Sequence, residues 1–184
     1  MKNLIFLSGI NGSGKSTIGK KLSEKTGIPV FEGSSILMQH FGLIPGDYDA
    51  LRAIPYEEQF NGNIEAFKQV SQNNKKAIAI GHFMLTIKGT TKPVIGDWFN
   101  DCFCLIHLRN EPEVILDRIE KDERDRKLFS ESHKTYDEQY TFIKKTQEQS
   151  LESAEQVSKQ YNVPLYVIEN NDIDTTIEEI IKLI

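Results

Sequence analysis

The chain has 184 residues, enough for one domain with a continuous core. Its formal net charge is -5, which argues against a general nucleic-acid surface and requires any phosphate-binding charge to be local. No apolar stretch reaches bilayer-spanning length, and the first apolar run is too short for a signal peptide, so no membrane partner is expected and the cytoplasm is the expected compartment.

The first predicted element is a buried strand at 4–8, Leu-Ile-Phe-Leu-Ser. It runs into Gly9-Ile10-Asn11-Gly12-Ser13-Gly14-Lys15-Ser16-Thr17, which fits the G-x-x-x-x-G-K-S/T phosphate-loop pattern in its strand-to-helix setting. Gly9, Gly12 and Gly14 permit backbone conformations that turn successive N–H groups into one concavity, and the helix N-terminus adds its own unpaired N–H groups. Lys15 can reach the β- and γ-phosphates, and the Ser16 hydroxyl can ligate magnesium. ATP and a magnesium ion are therefore the expected ligands. Gly9, Asn11, Gly12, Ser13, Gly14, Lys15, Ser16 and Thr17 form the expected nucleotide-binding set.

Further strand-like runs fall at 30–31, 77–80, 102–108 and 165–168. Helical spacing covers 16–25, 34–41, 56–71, 111–121, 132–161 and 175–183. This alternation predicts βαβ units in an α/β fold, a parallel sheet flanked by helices. With no repeat or linker, residues 1–184 read as one domain. Two stretches, 42–55 and 86–96, are rich in Gly, Pro and Asp or in Lys, Gly and Thr, and read as loops beside the phosphate site. Cys102 and Cys104 alternate on one strand, too close for an ordinary disulfide and without a Cys/His set, so buried thiols are expected.

Phosphoryl transfer needs positive charge around the moving group. The chain offers Arg109, Arg118, and Arg124 and Arg126 in Lys121-Asp122-Glu123-Arg124-Asp125-Arg126-Lys127, a cluster suited to a lid at about 122–131. Arg52 lies within 33–72, the segment expected to bind the acceptor, and a guanidinium there could grip a phosphate. His82 should emerge at the ligand edge after the third strand as an acceptor contact. Trp98 with Phe99 read as core rather than as a base-stacking platform. The third strand, 77–81, lacks the carboxylate that phosphate-loop enzymes usually place near magnesium, leaving the ion to Ser16, the phosphates and water.

The phosphate loop, Leu51-Arg52, Gly81-His82, Thr86-Ile87-Lys88-Gly89, Leu116-Asp117-Arg118-Ile119 and Arg124-Asp125-Arg126 together resemble the nucleoside monophosphate kinases, most closely the archaeal-type adenylate kinases. The resemblance runs over nearly the whole length and implies a five-stranded parallel sheet with AMP-binding helices on one side. It also implies that Lys15 and Ser16 hold ATP and magnesium, Arg52 the AMP phosphate and Arg118 the adenine side. Arg124 and Arg126 would clamp the transferring phosphoryl, and a homo-oligomer stays open. Such relatives read Asp-x-His where this chain has Ile80-Gly81-His82.

Transfer to a nucleoside monophosphate, AMP first, is the leading expectation. Two alternatives stand beside it. One is a kinase of a hydroxyl acceptor, whether metabolite, nucleoside or polynucleotide end, with Glu32 as base. The other is a nucleotide-binding regulator with slow hydrolysis, which the missing carboxylate favours and the arginine cluster opposes.

Overall fold

A computed structural model describes residues 2–87, 90–122, 129 and 133–184, with the backbone alone at 85–87 and 90–92. Its main sheet has five parallel strands in the order β2-β3-β1-β6-β7: β1 Leu4–Ser8, β2 Val30–Glu32, β3 Ala77–Ile80, β6 Cys102–Arg109 and β7 Leu165–Glu169. Every residue of β1 and β3 is buried, as a parallel sheet covered on both faces requires. The chain leaves β1 toward β2 and later crosses from β3 to β6 on the other side. The resulting switch point opens a crevice at the C-terminal strand ends, where the phosphate loop lies.

Because strand side chains alternate, the sheet feeds two separate cores. Ile5, Leu7, Ile78, Ile80, Ile106 and Leu108 pack against Ile18 and Leu22 of α1 (Lys15–Thr26) and Ile177 and Ile180 of α7 (Ile173–Ile181). Leu4, Phe6, Ala77, Ala79 and Leu105 meet Phe67 and Val70 of α4 (Tyr56–Asn73) and Ala154 and Val157 of α6 (Tyr136–Tyr161). α5 (Pro112–Glu120) adds a smaller cluster in which Ile115 and Leu116 join Ile10 and Ile143. Cys102 and Cys104 are buried free thiols, and burial pushes Cys104 up to about 12.

The stretch at 86–96 is not a plain loop. β4 (Met84–Ile87) and β5 (Thr90–Pro93) pair antiparallel, with Met84 opposite Pro93 and Ile87 opposite Thr90. The β-branched Thr86, Ile87, Thr90 and Thr91 favour extended backbone over the loop suggested by Lys, Gly and Pro. A 3₁₀ turn at Asp97–Asp101 then leads into β6, so among the described residues this crossover contains no α-helix. Trp98 and Phe99 supply the missing apolar cover. They are core residues, with ring centroids 5.0 and 5.3 Å from Phe6.

A second loop expectation also fails. Within 42–55, α3 (Tyr48–Ala53) forms because the Asp47 carboxylate accepts from the Ala50 N–H at 2.9 Å and Leu51 is buried against Leu37 and Met38 of α2 (Gly33–His40). α6 starts at Tyr136 rather than 132, fixed by a capping box between Thr135 and Glu138. Among the described residues no helix is long and apolar enough to cross a membrane.

Candidate phosphoryl-transfer site

The phosphate loop leaves little choice of residue at its glycines. Gly9 has φ 146°, and a Cβ there would lie 2.6 Å from Ser13 Oγ and 2.8 Å from the Leu108 carbonyl. Gly14 has φ 91°, and its Cβ would lie 2.7 Å from Asn170 Nδ2. Both positions combine a left-handed backbone with a close approach that excludes any side chain. Lys15 is buried, and its ammonium donates to the Ile10 carbonyl at 2.7 Å. Ser16 and Thr17 are exposed on the first turn of α1, and Asn11 is half-buried beside them. The Gly12 carbonyl accepts from Arg118 Nη1 at 3.2 Å, which ties Arg118 to the loop backbone. Burial lowers the Arg118 pKa, against the opposing influence of Asp117.

Beneath the loop lies polar structure that no motif announces. Ser8 Oγ is 2.9 Å from His107 Nδ1 and donates to the Ile106 carbonyl at 3.1 Å. The His107 pKa is lowered to about 4, chiefly by burial and further by Lys15 and Arg109, so the ring is neutral near pH 7. Beyond it, Asn170 at the end of β7 donates from Nδ2 to the Ser13 carbonyl at 2.8 Å. The sequence signal available was a polar pair, Asn170-Asn171, directly after an apolar strand at the ligand edge.

On the other flank, strand register places the residues expected near an acceptor. Glu32 pairs with Ile80, and Ile80 pairs with Leu7 two residues before Gly9. At about 4.8 Å per strand, the Glu32 backbone is roughly 10 Å from the base of the loop. Glu32 is half-buried at the N-cap of α2. His82 follows β3 at the same edge and is half-buried. Arg52 belongs to α3 in the helical lobe, where its guanidinium pairs with Asp49 at 2.8 Å. Arg109 ends β6, 3.9 Å from Glu169, with its Nε buried and without a hydrogen-bond partner among the described residues. Arg124 and Arg126 lie outside the described residues, as does most of the expected lid.

The cradle fits a polyphosphate. Its glycines leave room that a Cβ would fill, its lysine rests on a backbone carbonyl that an anion can replace, and its exposed Ser16 can ligate a magnesium ion together with the phosphates. β3 ends at Ile80 and is followed by Gly81, so that neighbouring strand supplies no carboxylate.

Comparison with known proteins agrees with this geometry. A model of the AAA domain family matches residues 8–135, from the end of β1 through the arginine cluster. No protein of curated description matches by sequence. Among solved structures, shikimate kinase from Bacteroides thetaiotaomicron superposes with TM-score 0.65 at 19% identity, covering 98% of this chain and 97% of that one. Shikimate kinase from Acinetobacter baumannii, in complex with shikimate, gives 0.59 at 13% identity and covers 98% and 92%. A sugar kinase from Janibacter gives 0.54 at 16% identity and covers 99% and 94%. These likenesses are likenesses of fold. With its family model spanning more than half of the sequence, the chain belongs to the AAA domain family and carries the phosphate-loop fold of the kinase type.

Proposed function

We propose that the protein is an ATP-dependent kinase that phosphorylates a hydroxyl group of a small polyhydroxy molecule. The observation that carries this reading is the register of Glu32, a half-buried residue level with Leu7, two residues before the phosphate loop, and two strands away. An acceptor between them would place its hydroxyl against a base on one side and the γ-phosphate on the other. Glu32 accepts the hydroxyl proton, the acceptor oxygen bonds to the γ-phosphorus, and the bond to the bridging oxygen breaks to release ADP. Lys15 offsets charge on the β/γ oxygens, and Arg118 steadies the loop from outside. Ser16, with the phosphates and water, would hold a magnesium ion, which would supply further charge neutralisation when bound. Arg124 and Arg126 complete the site as a closing clamp, and His82 contacts the acceptor. The two shikimate kinases and the sugar kinase of similar fold, whose named acceptors carry hydroxyl groups, support the choice.

A nucleoside monophosphate, AMP in particular, is the second reading. Arg52 favours it, being a guanidinium on a helix of the lobe next to the acceptor edge, and the archaeal-type adenylate kinase resemblance favours it too. Its pairing with Asp49 weakens it, because a phosphate must compete with that carboxylate. ATP turnover measured against sugars, cyclic polyols, nucleosides and nucleoside monophosphates tests the order. Hydroxyl acceptors should yield a phosphate monoester with one ADP formed per product. Turnover confined to nucleoside monophosphates would replace the first reading by the second, and ATP hydrolysis without any acceptor product would indicate a nucleotide-binding regulator.

A further inference from the structure

Asn170 is fully buried, and the structure engages every polar group it has. Its backbone N–H donates to the Arg109 carbonyl at 2.8 Å, and its own carbonyl accepts from Asn110 Nδ2. Its side-chain Nδ2 donates to the Ser13 carbonyl at 2.8 Å, an acceptor only, which fixes which end of the amide is nitrogen and leaves Oδ1 to accept from Thr176 Oγ1 at 3.2 Å. The support extends inward. Asn110 is clasped by Gln147 of α6, whose Oε1 accepts from the Asn110 N–H at 3.2 Å and whose Nε2 donates to the Asn110 carbonyl at 2.9 Å. A buried amide relay therefore runs from α6 through β6 and β7 to the outer side of the phosphate loop.

The bond to Ser13 has a geometric consequence. In a planar trans peptide the carbonyl and the next N–H point in opposite directions. Drawing the Ser13 carbonyl outward toward Asn170 aims the Gly14 N–H the other way, into the concavity that receives phosphate. The missing Cβ of Gly14 is what lets the Asn170 amide come this close, since a methyl there would lie 2.7 Å from Nδ2. The Gly12 carbonyl, one peptide earlier, is held by Arg118 in the same manner. Two consecutive carbonyls are thus tied to side chains outside the loop.

We propose that Asn170 is a positioning residue that holds the Ser13–Gly14 peptide of the phosphate loop in its anion-receiving orientation before nucleotide arrives. The inference rests on the reading of the loop as a triphosphate site and adds to it a fully buried residue that acts through the loop backbone. Because the brace acts on the phosphate cradle, its loss weakens binding of any polyphosphate, with or without a base.

The test uses the full chain and calorimetric titration with ATP and with inorganic tripolyphosphate, alongside thermal melts of each protein. Asn170→Ala should weaken both ligands alike by about tenfold, the order expected for one lost hydrogen bond plus the freedom the loop regains. Thr176→Val, which frees Oδ1 and leaves the bond to Ser13 in place, should weaken both by about threefold or less. Asn170→Asp keeps the volume and the acceptor but loses the donor, and should fall with Asn170→Ala. A variant that melts lower yet binds both ligands as the parent does would reduce Asn170 to a structural role and overturn the proposal. Weaker ATP with unchanged tripolyphosphate would overturn it in favour of a contact on the base side. A parent protein that binds neither ligand would instead contradict the triphosphate reading itself.

Discussion

The two flanks of β1 are built on different plans. On the β6–β7 side the phosphate loop is backed by buried polar groups, with Ser8 on His107 and Asn170 held among Asn110, Gln147 and Thr176. On the β2–β3 side the lobe proposed to bind the acceptor is helical, with a small cluster of Leu37, Met38 and Leu51, and its Arg52–Asp49 pair sits at the surface. A rigid cradle suits a ligand part that never changes, the triphosphate. A lobe with a small core can move and vary with its acceptor. The difference teaches where to look: the phosphate loop is braced by a buried scaffold, and on the proposed reading acceptor choice falls to a few side chains at an edge.

Breaking the common core should have the largest effect. Trp98→Ala removes a fully buried indole from the aromatic cluster about Phe6 and should cost about 3–5 kcal/mol in denaturant unfolding. Leu51→Ala, in the acceptor lobe, should cost about 2 kcal/mol and raise the acceptor's KM while leaving the KM for ATP near the parent value. Equal effects on both Michaelis constants would erase the distinction between the flanks.

Lys15→Ala should lower turnover on the order of a hundred- to a thousandfold, because a buried cation no longer meets the charge on the β/γ oxygens. Steady-state turnover within a few-fold of the parent would remove the loop from the chemistry.

His107 gives the phosphate flank a pH signature. Its folded pKa of about 4 is below the unfolded value near 6.5, so the unfolded chain binds the extra proton between those limits. The stabilisation from the neutral buried ring is therefore complete above about pH 6.5 and is lost as pH falls toward 4, a change of about 3 kcal/mol. Unfolding free energies across that window should show this decline, and His107→Gln should flatten it. An unchanged slope in the variant would assign the decline to other groups. The smallest effect is expected from Arg118→Ala, about tenfold in the KM for ATP, since one hydrogen bond to the Gly12 carbonyl is lost at a partly exposed site.

Local chemistry made much of this legible in the chain itself. The phosphate-loop glycines, Lys15 and the five strands declare themselves through pattern and apolar runs, and all five strands fall where expected to within a residue or two. Trp98 and Phe99 were readable as core. What escaped was tertiary. The hairpin at β4–β5 depends on strand pairing that Lys, Gly and Pro obscure, and α3 depends on Leu51 finding α2. Asn170 and His107 look like ordinary strand-end and strand residues until register sets them against Ser13 and Ser8. In the sequence Glu32 stands as a candidate base, behind Arg52 as the acceptor contact. The sheet order, which no local pattern encodes, is what sets it two strands from the end of β1, where the phosphate loop begins.

The claim that the protein phosphorylates a hydroxyl is tested most directly by turnover of Glu32→Gln and Arg52→Ala on the best acceptor found. Loss of a general base should lower the turnover of Glu32→Gln by about a hundredfold or more, while Arg52→Ala stays within a few-fold of the parent. An intact Glu32→Gln alongside an Arg52→Ala whose acceptor KM rises about tenfold or more would contradict the account and make the acceptor a nucleoside monophosphate.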